Sequence, residues 1–125
     1  MTMEENDLNS ILVSIKKLLG LSKDYDAFDA DIIMHINTVI MSCNQLGVGV
    51  YGYSISGKDD QWSDFISEDD NLQAVKTYIY LKVKMLFDPP TNSSVIESIQ
   101  NSIHELEWRL NNEAETQIEE VTEDE

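Results

Sequence analysis

Four aspartates lie close together near the start of the chain, and carboxylates at such short spacing are typical ligands of a calcium ion. They are Asp24, Asp26, Asp29 and Asp31. An EF-hand loop beginning at Asp24 requires an oxygen ligand at its fifth position, glycine at its sixth and glutamate at its twelfth. Those positions hold Phe28, Asp29 and His35, so the pattern fails. We therefore interpret the aspartates as residues at the N-terminus of a helix, where negative charge is stabilising.

Residues that commonly act as nucleophiles, bases or metal ligands are few and scattered. His35 and His104 stand far apart in the sequence, and neither has a partner at a spacing typical of zinc sites. Cys43, the only cysteine, lies on the apolar side of a predicted helix, where a free cysteine usually behaves as a small hydrophobic residue. No set of serine, histidine and aspartate can be singled out, and no glycine pattern is typical of phosphate binding. The sequence therefore predicts no catalytic residues, no metal site and no cofactor, and we expect that the protein is not an enzyme.

The balance of charges limits the classes of partner. The 125 residues include 24 acidic and 8 basic side chains, which gives a formal net charge of −16. A surface of this sign repels DNA phosphates and anionic membranes, so we expect neither sequence-specific nucleic acid binding nor membrane binding. The N-terminal segment lacks the basic and apolar regions of a signal peptide, and no apolar run reaches the roughly 18 residues that span a bilayer. Because the single cysteine excludes an internal disulfide, we expect a soluble, intracellular protein of one domain.

Apolar residues recur at helical spacing in four segments, which predicts an all-α fold with a small bundle of about four helices. The predicted helices run from about 6 to 19, from about 24 to 46, from about 70 to 87, and from 94 to 110. Asn6 or Asp7 is the predicted N-cap of the first helix, and Gly20 and Gly47 are stop signals. The third helix is apolar around most of its circumference, so we expect it to be central. The apolar stripe of the fourth fits a core face or a coiled-coil seam, and we favour the core face.

The segment between the second and third helices, GVGVYGYSISGKDDQW, has a different pattern. Its glycines exclude a continuous helix, and its tyrosines alternate with small residues, as in an extended chain. A short strand, a β-hairpin and an exposed loop all fit, followed by one helical turn that places an aromatic residue under the domain. We expect the segment from Val48 to Phe65 to project from the helical body. The predicted interface residues are the aromatic and apolar residues of this segment and the lysines of the third helix: Tyr51, Tyr53, Ile55, Trp62, Phe65, Lys76, Lys82 and Lys84.

Two consecutive prolines separate the third and fourth helices, in the stretch LFDPPTN. Pro89 and Pro90 each disfavour helical geometry at the residue before them, so the third helix must end near Phe87. Ser94, followed three residues later by Glu97, predicts a capping box that begins the fourth helix. The prolines thus predict a structural corner that fixes the angle between the two helices.

From Asn111 onward the apolar stripe fades. Residues 113–125 contain seven acidic and no basic side chains, whereas residues 1–112 contain 17 acidic and 8 basic ones. The few apolar side chains of the C-terminal segment bury too little surface to offset the entropy of ordering. The predicted organisation is a helical domain over residues 1–112 and an acidic tail over residues 113–125, which we expect to be mobile in the free protein and to form a helical extension when bound.

Several stretches of the chain resemble the small head-tail connector proteins of tailed bacteriophages and prophages, also called adaptor or head-completion proteins. They are FDADIIMHINTVIMSCNQLGVG at residues 28–49, YSIS and WSDFI in the following loop, NLQAVKTYIYLKVKMLFDPPT at residues 71–91, and SVIESIQNSIHELEWRLN. The resemblance extends from about residue 8 to about residue 112. Its most specific part is the occurrence of QLGVG and LFDPPT in this order.

The resemblance implies an α-helical structural protein of the virion, present in the host cytoplasm during assembly and without catalytic residues. Many copies are expected to form a homo-oligomeric ring, dodecameric on the portal protein of the DNA-filled head. This ring would extend the DNA channel and provide a docking surface for the next head-completion or tail protein. A second class of function also fits a small acidic helical protein, namely a DNA mimic that inhibits a host nucleic-acid-binding enzyme. The acidic residues cluster in loops and in the tail rather than along regular faces, which favours the connector.

Overall fold

The computed structural model describes the backbone of residues 5–123 and the side chains of residues 7–68 and 70–116. Within this part of the chain the secondary structure is helical and contains no strand. The elements are α1 (Glu5–Asn9), α2 (Ile11–Leu18), α3 (Asp29–Gln45), α4 (Trp62–Phe65), a 3-10 helix (Glu68–Asp70), α5 (Leu72–Phe87) and α6 (Ser93–Glu123). The predicted all-α fold class is confirmed.

The core forms where the four longer helices meet. α5 packs between α3 and α6, and α3 also packs against α2, so the helix predicted to be central is the central one. The apolar stripe of α6 faces this core rather than a coiled-coil partner. The buried residues that join the four helices are mostly branched aliphatic side chains: Ile11 and Ile15 on α2, Ile32, Ile36 and Ile40 on α3, Val75, Ile79 and Val83 on α5, and Ile103 and Leu110 on α6.

The first predicted helix is divided in two at Ser10. Ser10 has extended backbone geometry, and its Oγ accepts a hydrogen bond from the backbone N–H of Val13 at 3.2 Å, which makes it the N-cap of α2. The break lets Ser10 form an isolated bridge with Gln61. The predicted caps Asn6 and Asp7 lie inside α1 instead. Serine competes with helical geometry through this local bond, and the distant Gln61 segment adds a second reason for the break.

A buried lysine closes the connection between α2 and α3. The Lys16 side chain is almost completely buried, and its Nζ donates to the carbonyl oxygens of Lys23 at 3.2 Å and Tyr25 at 2.7 Å. It also forms an ion pair with Asp29 Oδ1 at 2.8 Å. Asp29 and Asp31 lie in the first turn of α3, but no side chain caps that helix. Asp29, which the sequence places near the start of a helix, therefore also compensates the charge of the buried Lys16.

The corner between α5 and α6 lies where the prolines predict it. α5 ends at Phe87, as expected from the two prolines. α6 begins one residue before the predicted cap, because Asn92 Oδ1 accepts hydrogen bonds from the backbone N–H groups of Ser94 at 2.8 Å and Val95 at 3.3 Å. The predicted capping box at Ser94 is therefore wrong, and the Asn92 side chain satisfies the first free N–H groups of α6 instead.

α6 continues past the predicted domain boundary at Asn112 and reaches Glu123. Beyond this boundary Ala114 is still in contact with the body, since a Cβ on Gly47 would lie 3.1 Å from the Ala114 Cβ. A boundary at residue 112 is not marked by a break in the helix. The mobility of residues 113–125 in solution stays a prediction.

Candidate functional site

The segment between α3 and α4 is a loop that lies along α3. Asn37 Oδ1 accepts from the backbone N–H of Ile55 at 2.8 Å, and Asn37 Nδ2 donates to the Ile55 carbonyl at 3.0 Å. Two turns further on, Asn44 Nδ2 donates to the carbonyl oxygens of Val48 and Val50, both at 3.1 Å, and its Oδ1 accepts from the N–H of Gly52 at 3.1 Å. The expectation that this segment projects from the body is therefore wrong, because two asparagine side chains of α3 satisfy its backbone polar groups.

The loop closes over Phe65 at Gly49. Gly49 has a φ of +78°, and a Cβ at this position would overlap the Phe65 ring. Tyr53 stacks on that ring with 5.3 Å between centroids. Burial, and then the carboxylates of Asp60 and Asp64, raise the pKa of Tyr53 to about 12. Glycine is required where the backbone comes this close to an aromatic ring.

Three of the predicted interface residues belong to the hydrophobic core of the chain. Ile55, Trp62 and Phe65 are buried, and the Trp62 Nε1–H donates to Ser14 Oγ at 2.8 Å. The short helix α4 thus places its aromatic residues under the domain, as the sequence predicts. These side chains offer no surface to a partner. Of the predicted loop residues, Tyr51 is 91% exposed and Tyr53 is half-buried.

The three lysines of α5 have partners within the chain. Lys76 Nζ lies 5.5 Å from the centroid of the Trp62 ring, in the range of a cation–π contact. Lys82 Nζ lies 3.7 Å from Glu107 Oε2 on α6. Lys84 Nζ donates to the carbonyl oxygen of Asp88, the C-cap of α5, at 3.2 Å. These lysines hold α4, α6 and the end of α5 in place, so they do not form a free basic face.

A polar cluster joins α3, α5 and α6 next to Cys43. The Tyr78 hydroxyl donates to Glu107 Oε2 at 2.8 Å, and Lys82 Nζ donates to Ser42 Oγ and to Tyr78 Oη, both at 3.4 Å. Burial, and then the hydrogen bond to Glu107, raise the pKa of Tyr78 above its usual value. Tyr78 is completely buried, so the cluster holds the helices together and offers no exposed reactive group.

Cys43 and the histidines do not form a reactive site. Burial raises the pKa of the Cys43 thiol to about 12, so the nucleophilic thiolate is scarce at neutral pH. His35 lies against Phe87 with 6.5 Å between ring centroids, and His104 is exposed on α6. No group of three or more His, Cys, Asp or Glu side chains in the described part of the chain could hold a metal ion.

One exposed surface stands out by its lack of charge, and we call it the neutral face. It consists of the outer stripe of α3 and the adjoining turn of the loop: Met34, Thr38, Met41, Gln45, Val50 and Tyr51. Met34 is 57% exposed and Met41 is 65% exposed. A groove between helix and loop is lined by Met41, Asn44, Gln45, Tyr51 and Gly52. Of the residues on this surface, the sequence predicts only Tyr51 at an interface. The signal for the rest was the absence of Asp, Glu, Lys and Arg from Ile32 to Gly57.

The described helices include none that is both long enough and apolar enough to cross a membrane.

Comparison with protein families gives a match over residues 11–117 to the family described as phage connector protein. This range begins with α2, extends into the C-terminal part of α6 and includes every residue of the buried core cluster. Neither the curated proteins nor the solved structures give a significant match. The family is structural rather than enzymatic, and its members assemble with other phage proteins. The chain belongs to the phage connector protein family.

Proposed function

We propose that this chain is a virion subunit of the head-tail connector that forms a ring on the portal. The ring extends the DNA channel and provides the docking surface for the next head-completion or tail protein. The observation that carries this proposal is the family match over residues 11–117, because it includes the whole helical core rather than a short motif. Twelve copies on the portal is the stoichiometry that we expect.

The negative charge of the subunit supports a role in which the protein lies beside DNA without binding it. A net charge of −16 disfavours contact with phosphates, so DNA can pass an acidic wall without being retained. The acidic residues of the C-terminal segment instead suit a basic surface on the portal. Because Lys76, Lys82 and Lys84 have partners within the chain, the subunit itself provides little free positive charge for that role.

The DNA-mimic alternative lacks a supporting observation. A mimic requires carboxylates in regular rows that follow the spacing of phosphates, whereas the exposed face of α3 and its loop carry no carboxylate from Ile32 to Gly57. Asp29, at the start of that helix, is paired with a buried lysine rather than directed at a partner. We therefore retain the structural role as the proposed function.

Electron microscopy of the purified chain mixed with the portal protein of the same phage tests this proposal. We expect an additional ring of density on the portal, and co-sedimentation of the two proteins. A chain that stays monomeric, does not co-sediment with portal, and displaces DNA from a host enzyme contradicts the connector role and supports the mimic.

A further inference from the structure

The neutral face combines exposed apolar side chains with an absence of charge in a strongly acidic protein. Met34 and Met41 lie on one side of α3, and Tyr51 extends from the adjoining turn with 91% of its surface exposed. Between Asp31 and Lys58 the chain contains no Asp, Glu, Lys or Arg, although charged residues make up 26% of the whole sequence. From Met34 to Gln45 the stripe extends about 17 Å along the helix axis, at 1.5 Å per residue. Exposed apolar area of this kind marks interaction surfaces.

The neutral face is also held in a fixed conformation. Asn37 and Asn44 bind the loop to α3 through five hydrogen bonds to backbone groups, so the turn that carries Tyr51 is tied on both sides. A surface that is ordered before binding loses less conformational entropy when a partner docks. Tyrosine is one of the residue types that often contribute most of the binding energy of an interface.

We propose that the neutral face is the surface through which one copy of this chain contacts a second copy. The proposal rests on the ring-forming function proposed above and assigns one of the two surfaces that a head-to-tail ring requires. Two subunits with a charge of −16 each repel one another, and this repulsion extends over about 8 Å at physiological ionic strength. Contact through a surface without carboxylates keeps the like charges away from the interface, and burial of the methionines and Tyr51 supplies the attraction.

Other occupants fit the neutral face less well. A basic protein surface, such as the one that we expect on the portal, finds no carboxylate here to pair with, whereas other parts of the chain are rich in them. DNA finds no cation along the groove formed by Met41, Asn44, Gln45, Tyr51 and Gly52. A second copy is the partner whose own charge makes an uncharged contact surface advantageous.

Photo-crosslinking tests the proposal with the full chain carrying benzoylphenylalanine in place of Tyr51. Samples of this protein alone, over a range of concentrations, and with portal added are irradiated and analysed by mass spectrometry. We expect a conjugate of two copies of this chain, and the mapped attachment point identifies the complementary surface on the neighbour. Conjugates to portal alone, or no conjugate of two copies under either condition, overturn the proposal.

Two glutamate variants test whether self-association depends on the neutral face. Met41→Glu and Leu86→Glu each place a new carboxylate at an exposed apolar position near the C-terminal end of a helix, α3 and α5 respectively. We expect Met41→Glu to weaken self-association by about tenfold or more, equivalent to about 1.4 kcal/mol, and Leu86→Glu to leave it unchanged. Self-association of Met41→Glu as tight as that of the parent contradicts the assignment. Circular dichroism of both proteins shows that they are folded.

Co-sedimentation with portal in the same samples separates this inference from the proposed function. A chain that binds portal but gives no conjugate of two copies retains the connector role and lacks the proposed contact. A chain that forms conjugates but does not bind portal retains the contact and loses the connector role. Self-association through an uncharged surface should also not weaken as salt is added, because salt screens only the remaining repulsion.

Discussion

The side-chain amide of Asn37 forms both backbone hydrogen bonds of Ile55, accepting from its N–H at 2.8 Å and donating to its carbonyl at 3.0 Å. A neighbouring strand would satisfy the same two groups in a sheet. Here one helical side chain replaces the strand, so the buried Ile55 segment needs no strand partner. This relationship explains why a glycine-rich and tyrosine-rich segment remains a loop and yet stays close to the helical body.

We expect Asn37→Leu to destabilise the protein by about 1–3 kcal/mol, because it leaves two buried backbone groups without partners. The measurement is urea unfolding followed by circular dichroism. Thr38→Ala at the next, exposed position is the control, and we expect its free energy of unfolding to stay within about 0.5 kcal/mol of the parent. Equal stability of Asn37→Leu and Thr38→Ala argues against the role given to Asn37.

Three glycine-to-alanine variants separate backbone strain from steric clash in the same loop. Gly57 has no positive φ and open space around it, Gly52 has a φ of +79° and open space, and Gly49 has a φ of +78° with the Phe65 ring where a Cβ would lie. We expect Gly57→Ala to be neutral or slightly stabilising. Gly52→Ala should cost about 1–2 kcal/mol, and Gly49→Ala should cost more than that because the ring must move. Thermal unfolding of the three variants gives the order, and a Gly49→Ala protein as stable as Gly52→Ala contradicts it.

The features that the sequence predicted well depend on local physics. Helical periodicity indicated the four longer helices, and the two prolines indicated the end of α5 at Phe87 to the residue. The features that it missed depend on partners distant in the chain. The break at Ser10 involves Gln61, and the loop conformation involves Asn37 and its bonds to Ile55.

The candidate surface was predicted less well than the fold, for a related reason. Aromatic content does not distinguish a residue under the domain from one on its surface, so Trp62 and Phe65 were predicted at an interface and lie in the core. Lys16 provided a usable signal, since it follows Leu12 by four residues and therefore lies on the apolar side of its helix. A lysine at such a position needs buried partners, which only the folded chain supplies.

Lys16→Met should be strongly destabilising. The change leaves the carbonyl oxygens of Lys23 and Tyr25 without their donor and leaves Asp29 without its counter-charge, and we expect a loss of about 3 kcal/mol. Lys17→Met at the adjacent exposed position is the matched control, with an expected change within about 0.5 kcal/mol. Urea unfolding midpoints measure both, and similar midpoints for the two variants are incompatible with a buried clamp at Lys16.

Tyr53→Phe should flatten the dependence of stability on alkaline pH. The pKa of Tyr53 is raised to about 12 in the folded protein, whereas a tyrosine in an unfolded chain titrates near pH 10. Above about pH 10 the unfolded state loses this proton before the folded state does. The contribution of Tyr53 to the free energy of unfolding is therefore complete below about pH 10 and falls as the pH rises toward 12. At neutral pH the variant should be at least as stable as the parent, because the buried Tyr53 Oη has no hydrogen-bond partner among the described residues.

The control for this change is Tyr51→Phe, at a position that is 91% exposed. Unfolding midpoints measured from about pH 8 to pH 11 should fall equally in the parent and in Tyr51→Phe, and less in Tyr53→Phe. The fall that remains in Tyr53→Phe reflects other groups with a raised pKa, Cys43 among them. The same slope in all three proteins contradicts the environment assigned to Tyr53.

Truncation after Asn112 tests whether the acidic end of α6 engages the portal. The segment removed carries seven carboxylates and no base, and the remaining chain still has 17 acidic against 8 basic residues, so like charges oppose docking of this segment on its own body. With a basic partner the electrostatic interaction of this segment is attractive, and salt weakens the attraction by screening it over about 10 Å at 0.1 M. We expect the truncated protein to fold, to bind portal more weakly, and to show a shallower salt dependence than the full chain.

A full-length variant in which the acidic residues of 113–125 are replaced by the matching amides separates charge from helix length. Truncation also removes Glu113 and Ala114, which line a small cavity with Gly47 and Leu110, so a modest loss of stability is expected from truncation alone. The amide variant keeps these positions occupied, and its free energy of unfolding should match or exceed that of the parent because like charges are removed. Its portal binding should nevertheless become as weak and as insensitive to salt as that of the truncated protein. If the amide variant binds portal as tightly as the parent at every salt concentration, the acidic segment keeps the chain in solution and has no electrostatic partner on the portal.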